Sequence, residues 1–324
     1  LYESAIGVSV DGVVGMDPTA LGELASVTGP IEQPGYGVKL DTDNTADVLN
    51  HDVYLHFSGR PDDRDTYVAG VIEEFWRRMS SPSARVGALP SSLPSVVASQ
   101  HFKVYSGIPK DERSLADLEA DGDYRSQGSA VQAVFHNNLT DNKIDYFLER
   151  RVDTSIQLGT EGRAAVTTEA TMENAAVAGP SSDFLGAGNK PSTNRMRLSF
   201  LLPRRAKVKG YGRNDNRVSY ETGEEGGFPL VSDDVKVPAG ETVAATLDYT
   251  MRIAALRKDR GTFRITLFPH GTITPDELSL EISPPDGYSF TTPDGPGTLE
   301  ANGTFFYSGS ATAPVEVELQ LVRD

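Results

Sequence analysis

Hydrophobic and polar positions follow one pattern in the first half of the chain and another in the second, and the change falls near residues 145–155. In the first half, apolar residues recur every three or four positions in several stretches, which is typical of amphipathic helices. The longest helix is predicted from Asp62 to Met79 and is expected to pack on a sheet. Its predicted apolar stripe contains Val68, Ile72 and Trp76 beside Tyr67, Val71 and Phe75.

Local signals predict further helices and strands around this one. Asp17 is suited to the N-cap of a helix and Pro18 to its first position, and Gly29-Pro30 is expected to end that helix. Other helices are predicted at 42–56 and 111–121, and strands at 5–10, 13–16, 101–105 and 129–135.

After residue 151 the pattern is that of short β-rich runs separated by Gly, Pro, Asn and Asp, which is typical of antiparallel β-sandwiches. Two polar, Gly-rich stretches, 179–192 and 213–227, are predicted to be surface loops. The expected strands are 152–158, 164–172, 196–202, 235–237, 242–253, 263–268, 278–282, 304–307 and 315–322.

The two patterns together predict an α+β, multidomain protein. We expect an α/β unit over residues 1–148 and a β-sandwich over 149–258. Residues 259–324 form either a second β module or a continuation of the sandwich.

The composition excludes several kinds of site and partner. The 324 residues include 30 Lys and Arg against 46 Asp and Glu, which gives a net charge of −16, and there is no cysteine. The chain therefore has no disulfide, thiolate zinc site or thiol nucleophile. Its acidity argues against binding to nucleic acid or to an anionic membrane surface. The opening strand-like run suggests a mature or excised fragment, so that any membrane anchor would lie in a segment upstream of this chain.

No catalytic motif stands out in the sequence. There is no GxSxG or phosphate-binding loop signature, and no pair of histidines has the spacing of a helical zinc site. The histidines, which are expected to lie at the surface or at helix caps, are His51, His56, His101, His136 and His270. No metal and no cofactor are expected, and no catalytic base can be named.

The most informative polar cluster is the segment 57–65, at the start of the longest predicted helix. Arg60 and Arg64 are candidates for phosphate binding, because helix N-termini favour anions and guanidinium groups bind phosphate in bidentate fashion. Alternatively, Asp62, Asp63 and Asp65 neutralise both arginines and cap the helix. Both interpretations stay open at this point.

The residues from Ile6 to Leu21, Thr28 to Ile31 and Leu40 to Asn50 resemble a signature of an uncharacterised family of membrane-anchored actinobacterial envelope proteins, domain of unknown function 4012. Asn137-Asn138 and Lys143 to Leu148 are also similar to that family. The resemblance implies an extracytoplasmic location at the cell surface or envelope, sometimes linked with exopolysaccharide production.

More distantly, the opening order of elements resembles the LytR-CpsA-Psr glycopolymer ligases, which would make the first unit a partial version of that fold without its opening strands. The resemblance implies that Arg60 and Arg64 contact the phosphates of a lipid-linked glycan.

Three functions follow as hypotheses. The first is an extracytoplasmic structural or interaction protein of the envelope, whose partner is a glycan or another surface protein. The second is a module that binds a glycan or a lipid pyrophosphate, and the third is a glycopolymer transferase. The lack of a convergent catalytic set favours a role without catalysis.

Overall fold

The computed structural model describes residues 7–81, 89–125, 129–140, 142–177, 192–253, 260–291 and 293–324. It is a mixed α+β structure in which strands predominate. Its contacts divide the chain into two compact units, with the division between Asp123 and Tyr124.

The N-terminal unit contains helices and two small sheets. The helices are α1 (Pro18–Thr28), α2 (Thr45–Asp47), α3 (Val53–His56), α4 (Pro61–Met79), α5 (Leu89–Ala98) and α6 (Pro109–Asp117), with a π turn (Val48–Asp52) between α2 and α3. The strands are β1 (Gly12–Met16), β2 (Ile31–Glu32), β3 (Lys39–Leu40) and β4 (Phe102–Ser106); β1 pairs with β4 and β2 with β3, both antiparallel.

Local capping sets the ends of α1 as the sequence predicts. The Asp17 carboxylate accepts hydrogen bonds from the backbone N–H groups of Thr19 and Ala20 at 2.9 and 3.0 Å. Gly29 follows the helix with φ of 75°, a conformation that side-chain-bearing residues rarely adopt. The helix predicted at 42–56 is also present, interrupted by the π turn.

Helix α4 buries a narrower stripe than its sequence predicts. Tyr67, Val71 and Phe75 are buried and pack in the core of the unit, whereas Ile72 and Trp76 are 46% and 43% exposed. The helix therefore contacts the core of its unit mainly through Tyr67, Val71 and Phe75, with Val68 and Met79 partly buried beside them, and Ile72 and Trp76 face solvent.

The C-terminal unit is formed mainly by strands. They are β5 (Ala130–Asn138), β6 (Leu148–Leu158), β7 (Arg163–Asn174), β8 (Thr193–Leu201), β9 (Lys207–Arg213), β10 (Asn216–Arg217), β11 (Glu221–Glu225), β12 (Phe228–Pro238), β13 (Thr242–Arg252), β14 (Arg260–Phe268), β15 (Asp276–Ser283), β16 (Tyr288–Phe290), β17 (Thr298–Leu299), β18 (Phe305–Ala311) and β19 (Val315–Arg323). A short 3-10 helix (Ile144–Phe147) precedes β6.

These strands form two sheets that share one hydrophobic core. One sheet has the order β10-β9-β13-β7-β6-β15-β18-β17 and the other β11-β12-β8-β5-β14-β19-β16. Inward residues of both sheets, such as Met172 of the first and Phe200 of the second, belong to the same buried cluster. The arrangement is a β-sandwich, in which alternate residues of each strand face the core.

Each sheet contains one parallel pair, which the predicted antiparallel architecture did not include. Strand β14 pairs in parallel with β5, and strand β15 pairs in parallel with β6. Each pair joins one of the strands β5–β13 to one of the strands β14–β19. Strands β14–β19 therefore extend both sheets.

The two compact units meet at residues 123 and 124, whereas the sequence pattern predicts a boundary at residue 148. The sequence pattern predicts β5 in a unit that ends at residue 148, but the strand pairs with β8 and β14 in the sandwich. The predicted loop 213–227 contains β10 and β11, and the described part of the predicted strand 5–10, residues 7–10, is not a strand. The predicted loop 179–192 lies outside the described residues except for Ser192.

Candidate functional site

Arg60 and Arg64, the predicted phosphate ligands, lie at the N-terminus of α4. The Arg60 guanidinium donates to the backbone carbonyl of His56 at 2.9 Å and pairs with Asp63 at 3.4 Å. The Arg64 guanidinium pairs with Asp65 at 3.0 Å and stacks 4.7 Å from the centre of the Tyr54 ring. Carboxylates thus accompany both arginines, as the second interpretation expects, and phosphate binding here stays a prediction.

A polar cleft lies elsewhere in the same unit, where α1 and α4 end. Its volume is about 530 Å³, within the usual range of small-molecule sites. It is lined by Ala25, Ser26, Val27, Thr28, Gly29, Pro30, Asp41, Thr42, Arg77, Arg78 and Ser81.

Arg78 fixes one wall of this cleft. Its Nη1 donates to the carbonyl oxygens of Thr28, Gly29 and Pro30, the last at 2.7 Å. Thr28 is the last residue of α1, and Gly29 and Pro30 follow it, so Arg78 binds carbonyl groups at the point where the helix leaves them without partners. Its Nε donates to Glu74, one turn earlier in α4, at 2.7 Å, so the same side chain joins α4 to the end of α1.

Glu74 pairs with both arginines of the cleft. The spacing predicts separate pairs of Glu73 with Arg77 and of Glu74 with Arg78, but Arg77 donates two hydrogen bonds to Glu74, at 2.7 and 2.6 Å. Hydrogen bonds from Arg77 and then Arg78 lower the pKa of Glu74 to about 2. The three side chains together carry one positive charge, and Arg77 remains 67% exposed.

Other lining residues contribute an acid and hydroxyl groups. The Asp41 carboxylate accepts the backbone N–H of Asp43 at 3.1 Å through one oxygen, which orients it in a tight turn. Ser26, Thr28 and Thr42 add hydroxyls. The cleft therefore offers hydrogen-bond donors of positive charge and acceptors of negative charge within one concave surface.

A second polar cluster is buried inside the sandwich. Arg150 on β6 is 5% exposed and donates to the Asp276 carboxylate on β15 at 2.9 Å. It also donates to Nδ1 of His136 and to the carbonyl of Val134, both on β5 and both at 2.7 Å. One guanidinium thus connects adjacent strands of one sheet and reaches across the core to the other sheet.

The bond from Arg150 defines the state of His136. A guanidinium only donates, so Nδ1 of His136 accepts and the ring proton lies on Nε2, which faces Asp145 at 3.8 Å. Burial lowers the pKa of His136, and the positive charge of Arg150 acts in the same direction. Burial raises the pKa of Asp276, while the charge of Arg150 opposes that rise.

Two histidines differ from the sequence prediction of surface or cap positions. His136 is buried, and so is His101, whose Nδ1 lies 2.5 Å from the Asp17 carboxylate. The sequence carries a signal for the sandwich cluster, because Arg150 falls in phase with the inward residues Leu148 and Val152 of its strand. A cation at an inward position requires a buried partner.

Replacing His136 by asparagine should reduce the acid sensitivity of the fold. The folded pKa of His136 lies below its ordinary value of 6.5, so the unfolded chain binds the proton more readily and stability falls as pH drops below 6.5. An asparagine carbonyl can still accept from Arg150 but does not titrate. We expect wild type to lose up to about 2 kcal/mol more than the variant between pH 7 and pH 5.

Urea unfolding at a series of pH values measures this difference. The groups facing His136 are Arg150, Asp145, Asp276 and the ring of His270, which lies 4.8 Å from the His136 ring. All of them are retained in the variant. Parallel pH profiles for the two proteins would contradict the assignment of a neutral His136.

Within the described part of the chain, no three His, Asp or Glu side chains are arranged to hold a metal ion. Among the helices given above, none has the length and apolar character needed to cross a bilayer.

Several solved structures share limited similarity with this chain. A putative nutrient binding protein from Legionella pneumophila is 13% identical, with a TM-score of 0.35 over 60% of this chain and 70% of that one. An M1 zinc metallopeptidase variant from Deinococcus radiodurans is 16% identical, with a TM-score of 0.32 over 54% and 42%. Leukotriene A4 hydrolase from Saccharomyces cerevisiae is 9% identical, with a TM-score of 0.32 over 53% and 29%. Scores this low carry no argument about fold or function.

No curated protein matches the sequence at a significant level. At the N-terminus, residues 1–54 match an uncharacterised family described as "Protein of unknown function (DUF4012)".

Proposed function

We propose that this protein is an extracytoplasmic, non-catalytic binding protein of the cell envelope that holds a glycan in the polar cleft beside Arg77. The observation that carries the proposal is the pairing, in one cleft of about 530 Å³, of an exposed guanidinium with a carboxylate and several hydroxyls. The envelope location rests on the family resemblance of the N-terminal residues.

The chemistry of the cleft suits a ligand rich in hydroxyl groups. A sugar hydroxyl both donates and accepts, so it can donate to the Asp41 carboxylate and accept from Arg77. Bonds to charged groups are stronger than bonds between neutral ones. Arg78 is held by three backbone carbonyls and Glu74, so this wall is ordered before any ligand binds, which lowers the entropic cost of binding.

The same cleft is poorly suited to phosphate. It is lined by the C-terminal residues of α1 and α4, and helix C-termini carry partial negative charge. Glu74 also neutralises one of the two guanidinium charges, and Asp41 adds a further negative charge. A neutral or weakly charged saccharide fits this field better than a pyrophosphate.

The sandwich has a supporting role in this proposal. Its buried ionisable groups Arg150, His136 and Asp276 are directed at each other across the core. Such groups stabilise a particular arrangement of strands, and a glycan has no access to them.

An oligosaccharide array with the labelled full chain tests the proposal. We expect binding to oligosaccharides on the array, and a loss of at least tenfold in affinity in Arg77→Gln, because the exposed donor is removed while Glu74 keeps Arg78 as its partner. Arg60→Gln is the matched control, since Arg60, at the N-cap of α4, is also an exposed arginine paired with a carboxylate three residues away.

The same proteins distinguish the lipid-pyrophosphate hypothesis from the glycan proposal. Calorimetry with an undecaprenyl pyrophosphate analogue would show heat that is lost in Arg60→Gln and kept in Arg77→Gln if the phosphate site at α4 is the functional one. That result, or an array without any binding, would overturn the assignment of a glycan to the cleft.

A further inference from the structure

The two-stranded sheet of β1 and β4 has an open edge. The backbone carbonyl of Asp11 accepts the Gly107 N–H at 2.7 Å, and the backbone N–H of Asp17 donates to the His101 carbonyl at 3.3 Å. Both bonds are in register with the β1–β4 pairing. In an antiparallel pair, every second residue bonds to the partner strand. Odd-numbered residues of β1 therefore bond to β4, and Gly12, Val14 and Met16 direct their N–H and C=O groups away from it.

The other side of the sheet follows the same rule. Val104, opposite Val14, directs its N–H away from β1 and donates to the Ala120 carbonyl at 2.8 Å. The outer edge of β4 thus has a partner at this position. Among the residues that the structure describes, no strand pairs with the outer edge of β1.

Apolar side chains are exposed along this edge. Val13 is 50% exposed, Val14 40%, and Tyr105, which lies opposite Val13, 57%. Met16, at the end of the strand, packs against the hydrophobic cluster of its unit instead. An added strand would lie beside Val13 and Val14 and would satisfy the outward backbone groups of β1 at the same time.

The terminal strands of the sandwich are protected in ways that β1 is not. Strand β11 carries Glu221, Glu224 and Glu225 and is exposed throughout, and β10, β16 and β17 have only two or three residues. Charged and very short edge strands prevent edge-to-edge pairing. Strand β1 has five residues and no charge within it.

Charge indicates which strand the edge accepts. Asp11 and Asp17 flank β1, and the chain carries a net charge of −16. A second copy pairing antiparallel through β1 would place Asp11 opposite Asp17 of the other copy, between two strongly acidic molecules. A strand with basic ends is complementary to this edge.

We propose that the outer edge of β1 binds an extended segment of another polypeptide, with alternating apolar residues and Lys or Arg at its ends, by adding a strand to the β1–β4 sheet. Strand addition of this kind obtains affinity from main-chain hydrogen bonds and specificity from alternate side chains. The inference is independent of the glycan cleft.

The peptide Lys-Thr-Val-Thr-Val-Thr-Val-Thr-Lys serves as the probe, with binding to the full chain followed by calorimetry. Val14→Pro removes an outward N–H without removing a bond to β4, and proline is tolerated at strand edges. We expect it to weaken binding at least tenfold. Val14→Thr keeps the N–H and the β-branched shape and is expected to bind like wild type.

Modified peptides test the proposal without relying on the folding of the variant. A peptide with alternate N-methylated amides, and one with Glu at both ends, should each bind at least tenfold more weakly than the probe. The proposal is overturned if no peptide binds, if Val14→Pro or the N-methylated peptide binds as well as the reference, or if sedimentation shows dimers of the protein that Val14→Pro abolishes.

Discussion

Replacing Arg150 by methionine is expected to lower the free energy of unfolding by about 3–5 kcal/mol, the usual cost of removing one partner of a buried ion pair. The Asp276 carboxylate is 1% exposed and would lose its cationic partner. The Val134 carbonyl and Nδ1 of His136 would lose their donor as well. Urea unfolding at pH 7 measures the change.

The double variant Arg150→Met/Asp276→Asn separates the charge from the packing. Asparagine is neutral and close in shape to aspartate, so it removes the buried charge that the single variant leaves without a partner. We expect the double variant to be at least about 1 kcal/mol more stable than Arg150→Met alone. If both variants have equal stability, the cost lies in lost packing and the ion pair has no special role.

Truncating a core side chain in either part of the sandwich should destabilise the same unfolding transition. Met172 of β7 and Leu280 of β15 are both fully buried in the shared core, although β7 lies before residue 259 and β15 after it. Met172→Ala and Leu280→Ala are each expected to cost about 2–5 kcal/mol. Because the two sheets run through both parts, each variant should shift the unfolding of all sandwich strands together.

Amide hydrogen exchange at increasing denaturant concentration measures the unfolding of each strand separately. Glu173→Gln on β7 and Glu281→Gln on β15 are matched controls, since both side chains are exposed on the same strands, and each should change stability by less than about 0.5 kcal/mol. Independent modules over 149–258 and 259–324 would respond differently. In that case Leu280→Ala would release β14–β19 while β6–β13 stayed protected.

Elements with local signals could be predicted from sequence. Asp17 and Pro18 start α1 and Gly29 ends it, because capping depends only on residues within one turn of the helix. The strands of the sandwich were recognisable for a similar reason, since alternation with a period of two is visible within a single strand. Both kinds of signal define elements, and neither defines which elements pair.

The pairing of distant strands had no such signal. Strand β5 follows the helical unit and was grouped with it, yet it forms a parallel pair with β14, more than a hundred residues later. Parallel pairing requires a long connection between the strands, so no turn motif marks it. Only the polar inward residues His136 and Arg150 hint at the junction, and Asp276, the carboxylate partner of Arg150, lies on a third strand.

The candidate site shows the same limit. The segment containing Arg60 and Arg64 attracts attention because its charges are adjacent in sequence. The cleft combines the end of α1, the turn at Asp41 and the end of α4, which only tertiary packing brings together. Arg77 and Arg78 were predicted as members of helix ion pairs, and their position at a concave surface could not be inferred from that spacing.

Amide hydrogen exchange of the full chain, with and without the oligosaccharide that binds best on the array, tests the central claim most directly. Slower exchange is predicted at residues 26–29, 41–42 and 77–81, with no change near Arg60 or in the sandwich strands. Protection confined to the sandwich or to the start of α4, with none in the cleft, would contradict the account.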